Sequence, residues 1–108
     1  MYDSIEISVQ EAAALMAGEH PPHLLDVRED FEREICLIPG SVQLTETLAR
    51  EILSSWEKQT PMIFTCHHGG RSRGAAEYFI QEGFSAVRNL TGGIEAWACQ
   101  IDPSIPRY

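Results

Sequence analysis

Met62-Ile63-Phe64-Thr65-Cys66-His67-His68-Gly69-Gly70-Arg71-Ser72 is the stretch that decides how this chain folds. Met62 to Thr65 is a short apolar run of the kind that makes a buried strand, and Pro61 is tolerated as that strand's first residue. The two glycines mark a tight loop after Cys66. Beyond it, Ala75, Ala76, Phe79 and Ile80 recur at the spacing of one helix face, with Glu77, Gln81 and Glu82 on the wet side and Gly83 as the stop. A strand, a tight loop and a helix in that order are the repeating unit of an α/β domain.

The same alternation extends in both directions. Upstream, Ile5-Glu6-Ile7 reads as a short strand. Ser8 then opens a helix, with Glu11 completing a capping box and Val9, Ala12, Ala13 and Met16 forming its buried face. Gly18 ends that helix and Pro21-Pro22 prevent its continuation. His23 to Val27 reads as the next strand. Arg28 to Gly40 starts charged and closes on the Pro39-Gly40 turn. Ser41 to Leu44 suits a short strand, and Thr45 caps a helix turning Leu48, Ile52 and Leu53 inward. Downstream, Ala86 to Leu90 reads as the last strand, and Gly92-Gly93 leads into a short helix holding Ile94 and Trp97. With no repeat, linker or low-complexity tract, residues 1–108 form one domain.

Composition narrows the function. The 44% hydrophobic and 22% charged content is that of a globular protein, and no apolar run approaches the ~20 residues of a membrane span. Met1 to Glu6 lacks a basic segment followed by an apolar stretch, so no secretory signal is read and a cytoplasmic location is expected. A net charge of −8 argues against nucleic-acid partners, which need clustered Lys and Arg. Arg71, Arg73 and Arg88 nevertheless fall close together, pointing to a small anionic ligand near them. The three cysteines, Cys36, Cys66 and Cys99, show no pairing motif and read as free thiols in a reducing compartment.

The chemistry centres on Cys66. It follows a buried strand and precedes a helix, at the sheet edge where α/β proteins bind ligands. A tight loop there aims successive N–H groups inward as an anion nest, and Gly69 and Gly70 permit the positive φ angles this demands. The helix N-terminus and Arg71 add positive charge. Each favours a thiolate over a thiol, whose ordinary pKa is near ~8.5. Ser72 is expected as the N-cap, while His67 and His68 can supply charge or donors beside the sulfur. Adjacent Cys66, His67 and His68 are poorly spaced for a closed metal site, and neither metal nor cofactor is expected.

The loop resembles that of the rhodaneses, a Cys followed by four residues, then Arg and often Ser. Three flanking stretches agree: Leu25-Asp26-Val27-Arg28-Glu29, Ile38-Pro39-Gly40-Ser41, and Leu90-Thr91-Gly92-Gly93-Ile94-Glu95-Ala96-Trp97. The resemblance implies a single rhodanese-like α/β domain with a central parallel sheet flanked by helices on both faces. It also implies sulfur transfer, with Cys66 as the sulfur-carrying nucleophile and His67, His68, Gly69, Gly70, Arg71 and Ser72 as the loop around the bound sulfur. Asp26 and Arg28 match a motif of ion-paired support, and Gly92, Gly93 and Trp97 match packing positions.

One departure stands out: many members have Gly-His before the Ile-Pro-Gly turn, where this chain has Cys36-Leu37. Cys36 is expected to pack. Alternatively it could resolve an oxidised Cys66 as a disulfide, given Cα atoms within ~7 Å. Cys99 is expected to be structural.

The function expected from all this is transfer of sulfane sulfur through a Cys66 persulfide. The donor is thiosulfate or another small anion, and the acceptor is cyanide, a small thiol or a protein. A persulfide relay module serving a protein partner is the alternative. A Cys–Arg oxyanion enzyme, a phosphatase or arsenate reductase, is less well matched, because such loops typically place five residues between Cys and Arg and this one has four.

Overall fold

Ser8 and Thr45 start their helices as their side chains allow: Ser8 Oγ accepts the Glu11 N–H at 3.1 Å and Thr45 Oγ1 the Leu48 N–H at 3.1 Å. The computed structural model describes residues 5–108; Met1 to Ser4, part of the segment read above for a leader, lie outside the described residues. The elements run β1 (Glu6–Ile7), α1 (Val9–Met16), β2 (His23–Asp26), α2 (Asp30–Ile35), β3 (Val42–Gln43), α3 (Glu46–Ser55), β4 (Met62–Thr65), α4 (Gly70–Gln81), β5 (Val87–Leu90) and α5 (Gly93–Gln100).

The strands form one five-stranded sheet in the order β1-β5-β4-β2-β3, and every neighbouring pair is parallel. Side chains alternate across it, as strand geometry requires. Ile7, Leu24, Ile63 and Leu90 join Val9 and Ala12 of α1 and Ile94, Trp97 and Ala98 of α5 in one core layer. Leu25, Met62, Phe64 and Val87 join Ile52 of α3 and Ala76 and Phe79 of α4 in the other. The sheet is therefore covered on both faces, and β4 at its centre is buried throughout. Among the described residues no helix is long and apolar enough to cross a membrane.

Two segments carry structure that the sequence reading did not assign. α2 occupies the charged stretch after Arg28. Its apolar residues Phe31 and Ile35 face solvent, while it buries Glu32, so the usual periodic signal is inverted. A capping box marks it instead: Glu29 accepts from the Glu32 backbone, and the Glu32 carboxylate accepts the Glu29 N–H at 3.0 Å. The second is the C-terminal segment after α5, which carries no periodicity. It returns to the domain through buried Ile105 and ends beside the Cys66 loop.

Candidate active site

Register places the site. Asp26 pairs with Thr65 across β2 and β4, and Asn89 with Phe64 across β4 and β5, so both flank the point where Cys66 leaves the sheet. Cys66 is 1% exposed. Its Sγ accepts the Gly69 N–H at 3.1 Å and the Ser72 N–H at 3.4 Å, with Ser72 Oγ also 3.4 Å away. The first turn of α4 thus closes around the sulfur, with the helix's positive end directed at it.

Burial of the sulfur disfavours its ionisation, but the Ser72 hydroxyl and the N–H groups of Ser72, Gly69 and Arg71 outweigh this, and the Cys66 pKa is lowered. A depressed folded-state pKa stabilises the fold above the unfolded thiol's pKa, a contribution lost as pH falls through the folded value. Alkylation of Cys66 by iodoacetamide, followed by peptide mapping to separate it from exposed Cys99, is expected to titrate below the ordinary ~8.5. A midpoint at or above that value would show that burial wins.

Ser72 is not the N-cap expected from sequence. α4 begins earlier, with Gly69 as its cap at φ +105°, and Ser72 sits inside the first turn. Its hydroxyl has one proton, for which Asn89 Oδ1 at 2.6 Å competes with the sulfur at 3.4 Å. Asn89 in turn donates from Nδ2 to the Gly69 carbonyl and to the Glu6 carboxylate, each at 3.0 Å, which settles the orientation of its amide. The backbone N–H groups are therefore the sulfur's steady donors. Of the two loop glycines, only Gly69 has a positive φ; Gly70 is an ordinary helical residue.

Arg71 does not turn its fork onto the sulfur. Its two terminal nitrogens donate to Glu32 at 2.8 and 2.9 Å. Glu32 also accepts from the Tyr108 hydroxyl at 2.8 Å, and the Arg71 guanidinium holds its carboxyl far below the usual carboxylate range. The expected basic cluster is likewise compensated: Arg73 pairs with Glu6 and Glu77, and Arg88 donates to the Ile5 and Glu6 carbonyls. Asp26 and Arg28 form the ion pair anticipated from sequence, at 2.9 Å, with Arg33 also on Asp26 and Arg28 reaching the Cys36 carbonyl and Tyr108.

His67 is stacked between His68 (4.0 Å) and Tyr108 (3.8 Å between ring centroids). Burial and the neighbouring His68 lower its pKa, favouring the neutral ring. Donor atoms of His67, His68 and Glu95 lie within 4.8 Å of one another. They fit an ion poorly: the imidazoles are stacked, so a point between them is out of both ring planes, and Arg107 already occupies Glu95 Oε2. Cys36 is buried in the core, as expected of a packing residue, whereas Cys99 is exposed, 3.7 Å from Glu95, and not a core residue. An open cleft of about 510 Å³, lined by Pro22, Pro61, Met62, Phe84 and Arg88 among others, touches none of the loop residues.

The residues that hold Arg71, Ser72 and the Gly69 carbonyl in place were not visible in sequence. Glu32, Asn89, Glu6 and Tyr108 come from four distant segments, and only the Glu29/Glu32 spacing carried a local signal.

The family model described as rhodanese-like domain matches residues 8–100. Rhodanese-like/PpiC domain-containing protein 12 of Arabidopsis thaliana, a chloroplastic protein, is 39% identical over 89 residues, 79% of this chain. The match spans only 30% of that relative. A Rhodopseudomonas palustris protein of unknown function, described as a possible tyrosine phosphatase, superposes with a TM-score of 0.75 at 26% identity, covering 97% of this chain and 86% of that one. The human single-domain sulfurtransferase TSTD1 shares the fold, with a TM-score of 0.74 at 24% identity over 89% of this chain and 96% of its own.

Proposed function

The chain belongs to the rhodanese-like domain family, and on that footing we propose that it is a sulfurtransferase carrying sulfane sulfur as a persulfide on Cys66. The observation that carries this reading is the buried Sγ at the start of α4, within 3.1 and 3.4 Å of two backbone N–H groups. A thiolate so held attacks the outer sulfur of thiosulfate or another sulfane donor, and sulfite or a thiol leaves. The amides that support the thiolate then support the terminal sulfur of the persulfide, which passes to cyanide, a small thiol or a protein thiol. Gly69 and Ser72 provide these amides. Arg71 braces the loop through Glu32, and His67 and His68 line its outer side.

The phosphatase description of the Rhodopseudomonas protein offers a second reading. A phosphoryl oxyanion would call for the Arg71 fork, which is occupied by Glu32, so sulfur transfer is preferred. A relay to a protein acceptor remains the same chemistry with a different second step, and the −8 charge suits a basic partner rather than nucleic acid. A reducing compartment such as the cytoplasm would keep the thiol free.

The test is intact mass after exposure to a sulfane donor. A gain of one sulfur that maps to the Cys66 peptide and is removed by cyanide with release of thiocyanate supports the proposal; no added sulfur with any donor refutes it.

A further inference from the structure

Sulfane donors differ greatly in charge, and the residues around Cys66 discriminate among them. Thiosulfate is a dianion; an organic hydropersulfide carries its transferable sulfur with at most one charge at the reacting end. A dianion entering a buried site loses hydration that only nearby cations replace.

The cations here are committed elsewhere. Both terminal nitrogens of Arg71 lie on Glu32, which is 5% exposed and is held in place by the Glu29 N–H and the Tyr108 hydroxyl. Arg28 spends its donors on Asp26, Tyr108 and the Cys36 and Glu32 carbonyls, and Arg33 spends its own on Asp26 and Ser41. Arg73 is paired with Glu6 and Glu77. His67 is walled in by two rings, and the neighbouring Glu95 is paired with Arg107. What remains within hydrogen-bond distance of the sulfur is the backbone N–H of Gly69 and of Ser72, with the Ser72 hydroxyl.

We propose that the sulfur donor is an organic hydropersulfide of low charge rather than thiosulfate, and that Glu32 sets this preference by neutralising Arg71. The inference rests on Cys66 being the sulfur carrier. The Cys66 thiolate attacks the outer sulfur of R–S–SH, the new Cys66 S–S bond forms as the R–S–S bond breaks, and RS⁻ departs, leaving Cys66–S–SH. No external oxidant or reductant is needed. The backbone amides of Gly69 and Ser72 support the negative charge as it forms.

The experiment is single-turnover persulfidation followed by intact mass, with thiosulfate and with the hydropersulfide of N-acetylcysteine methyl ester. Each rate is divided by that of free cysteine with the same donor. The normalised rate is expected to favour the hydropersulfide by roughly a hundredfold, and Glu32→Gln, which leaves Arg71 without its counter-charge, to shift the ratio toward thiosulfate by about tenfold. Thiosulfate matching the hydropersulfide in the wild type, or an unchanged ratio in the variant, overturns the proposal.

Should Glu32→Gln fail to fold, salt dependence in the wild type decides. Raising ionic strength to about 0.3 M leaves the thiosulfate rate level or higher if no net positive charge faces the sulfur, and lowers it if one does. If neither donor adds sulfur, it is Cys66 as carrier that fails, not the donor preference.

Discussion

Cys66→Ala is expected to abolish both the one-sulfur mass gain and the release of thiocyanate, a fall of at least about a thousandfold in turnover. The substitution removes the single atom around which the first turn of α4 closes, yet it leaves the loop's other supports intact. The Cys66 and His67 carbonyls still accept the Ile94 and Glu95 N–H groups at 2.9 and 3.1 Å, and Asn89 still holds the Gly69 carbonyl. The variant should therefore fold, with a small loss from the cavity left by one buried sulfur. Neither remaining cysteine has the same surroundings: Cys36 is buried beside the Arg28 guanidinium, and Cys99 is exposed next to a carboxylate. Intact mass and a thiocyanate assay on the purified variant check this. A mass gain that persists and maps to Cys99 would move the carrier off the loop.

Gly93→Ala is expected to be the most disruptive single-methyl change near the site. Gly93 has φ +59°, and a Cβ built there meets the Cys66 carbonyl oxygen at 2.4 Å and the His67 carbonyl oxygen at 2.6 Å. Those are the two carbonyls that receive the N-terminal N–H groups of α5, so the methyl group would wedge the helix away from the Cys66 loop. The left-handed backbone costs about 1–2 kcal/mol for a residue with a Cβ, and overpacking typically adds about 1–3 kcal/mol. A combined loss of roughly 3 kcal/mol corresponds to a fall in Tm of about 10–20 °C for a domain of this size. Because the loop carbonyls must shift, the Cys66 thiol should also titrate higher. Thermal unfolding and the iodoacetamide profile read the two effects separately. A variant with unchanged Tm would show that the glycine is not required by this contact.

Much of the architecture was legible because it rests on local rules. Ser8 and Thr45 cap their helices as their side chains predict, and Gly83 stops α4 with φ +100°. Met62 to Thr65 forms a strand buried on both sides, as a continuous apolar run should. The rhodanese-like pattern named the family that residues 8–100 match, and the Cys66 loop lies between β4 and α4 as the strand, loop and helix reading expects. The helix over Asp30–Ile35 escaped because its inward residue is a carboxylate and its apolar residues face solvent. Periodicity detects burial of apolar surface, and here the buried group is the partner of a cation.

The α/β alternation and the place of Cys66 between a buried strand and a helix were readable in the chain alone, because capping, glycine turns and apolar spacing act over a few residues. Only the tertiary structure decided what surrounds the sulfur. Glu32 reaches Arg71 across 39 positions, Asn89 reaches Ser72 across 17, and Tyr108 reaches Glu32 across 76. Such contacts leave no periodic trace in the chain. They arise when parallel strands set side by side bring their C-terminal ends to one edge, where buried polar groups must find partners or pay the cost of desolvation.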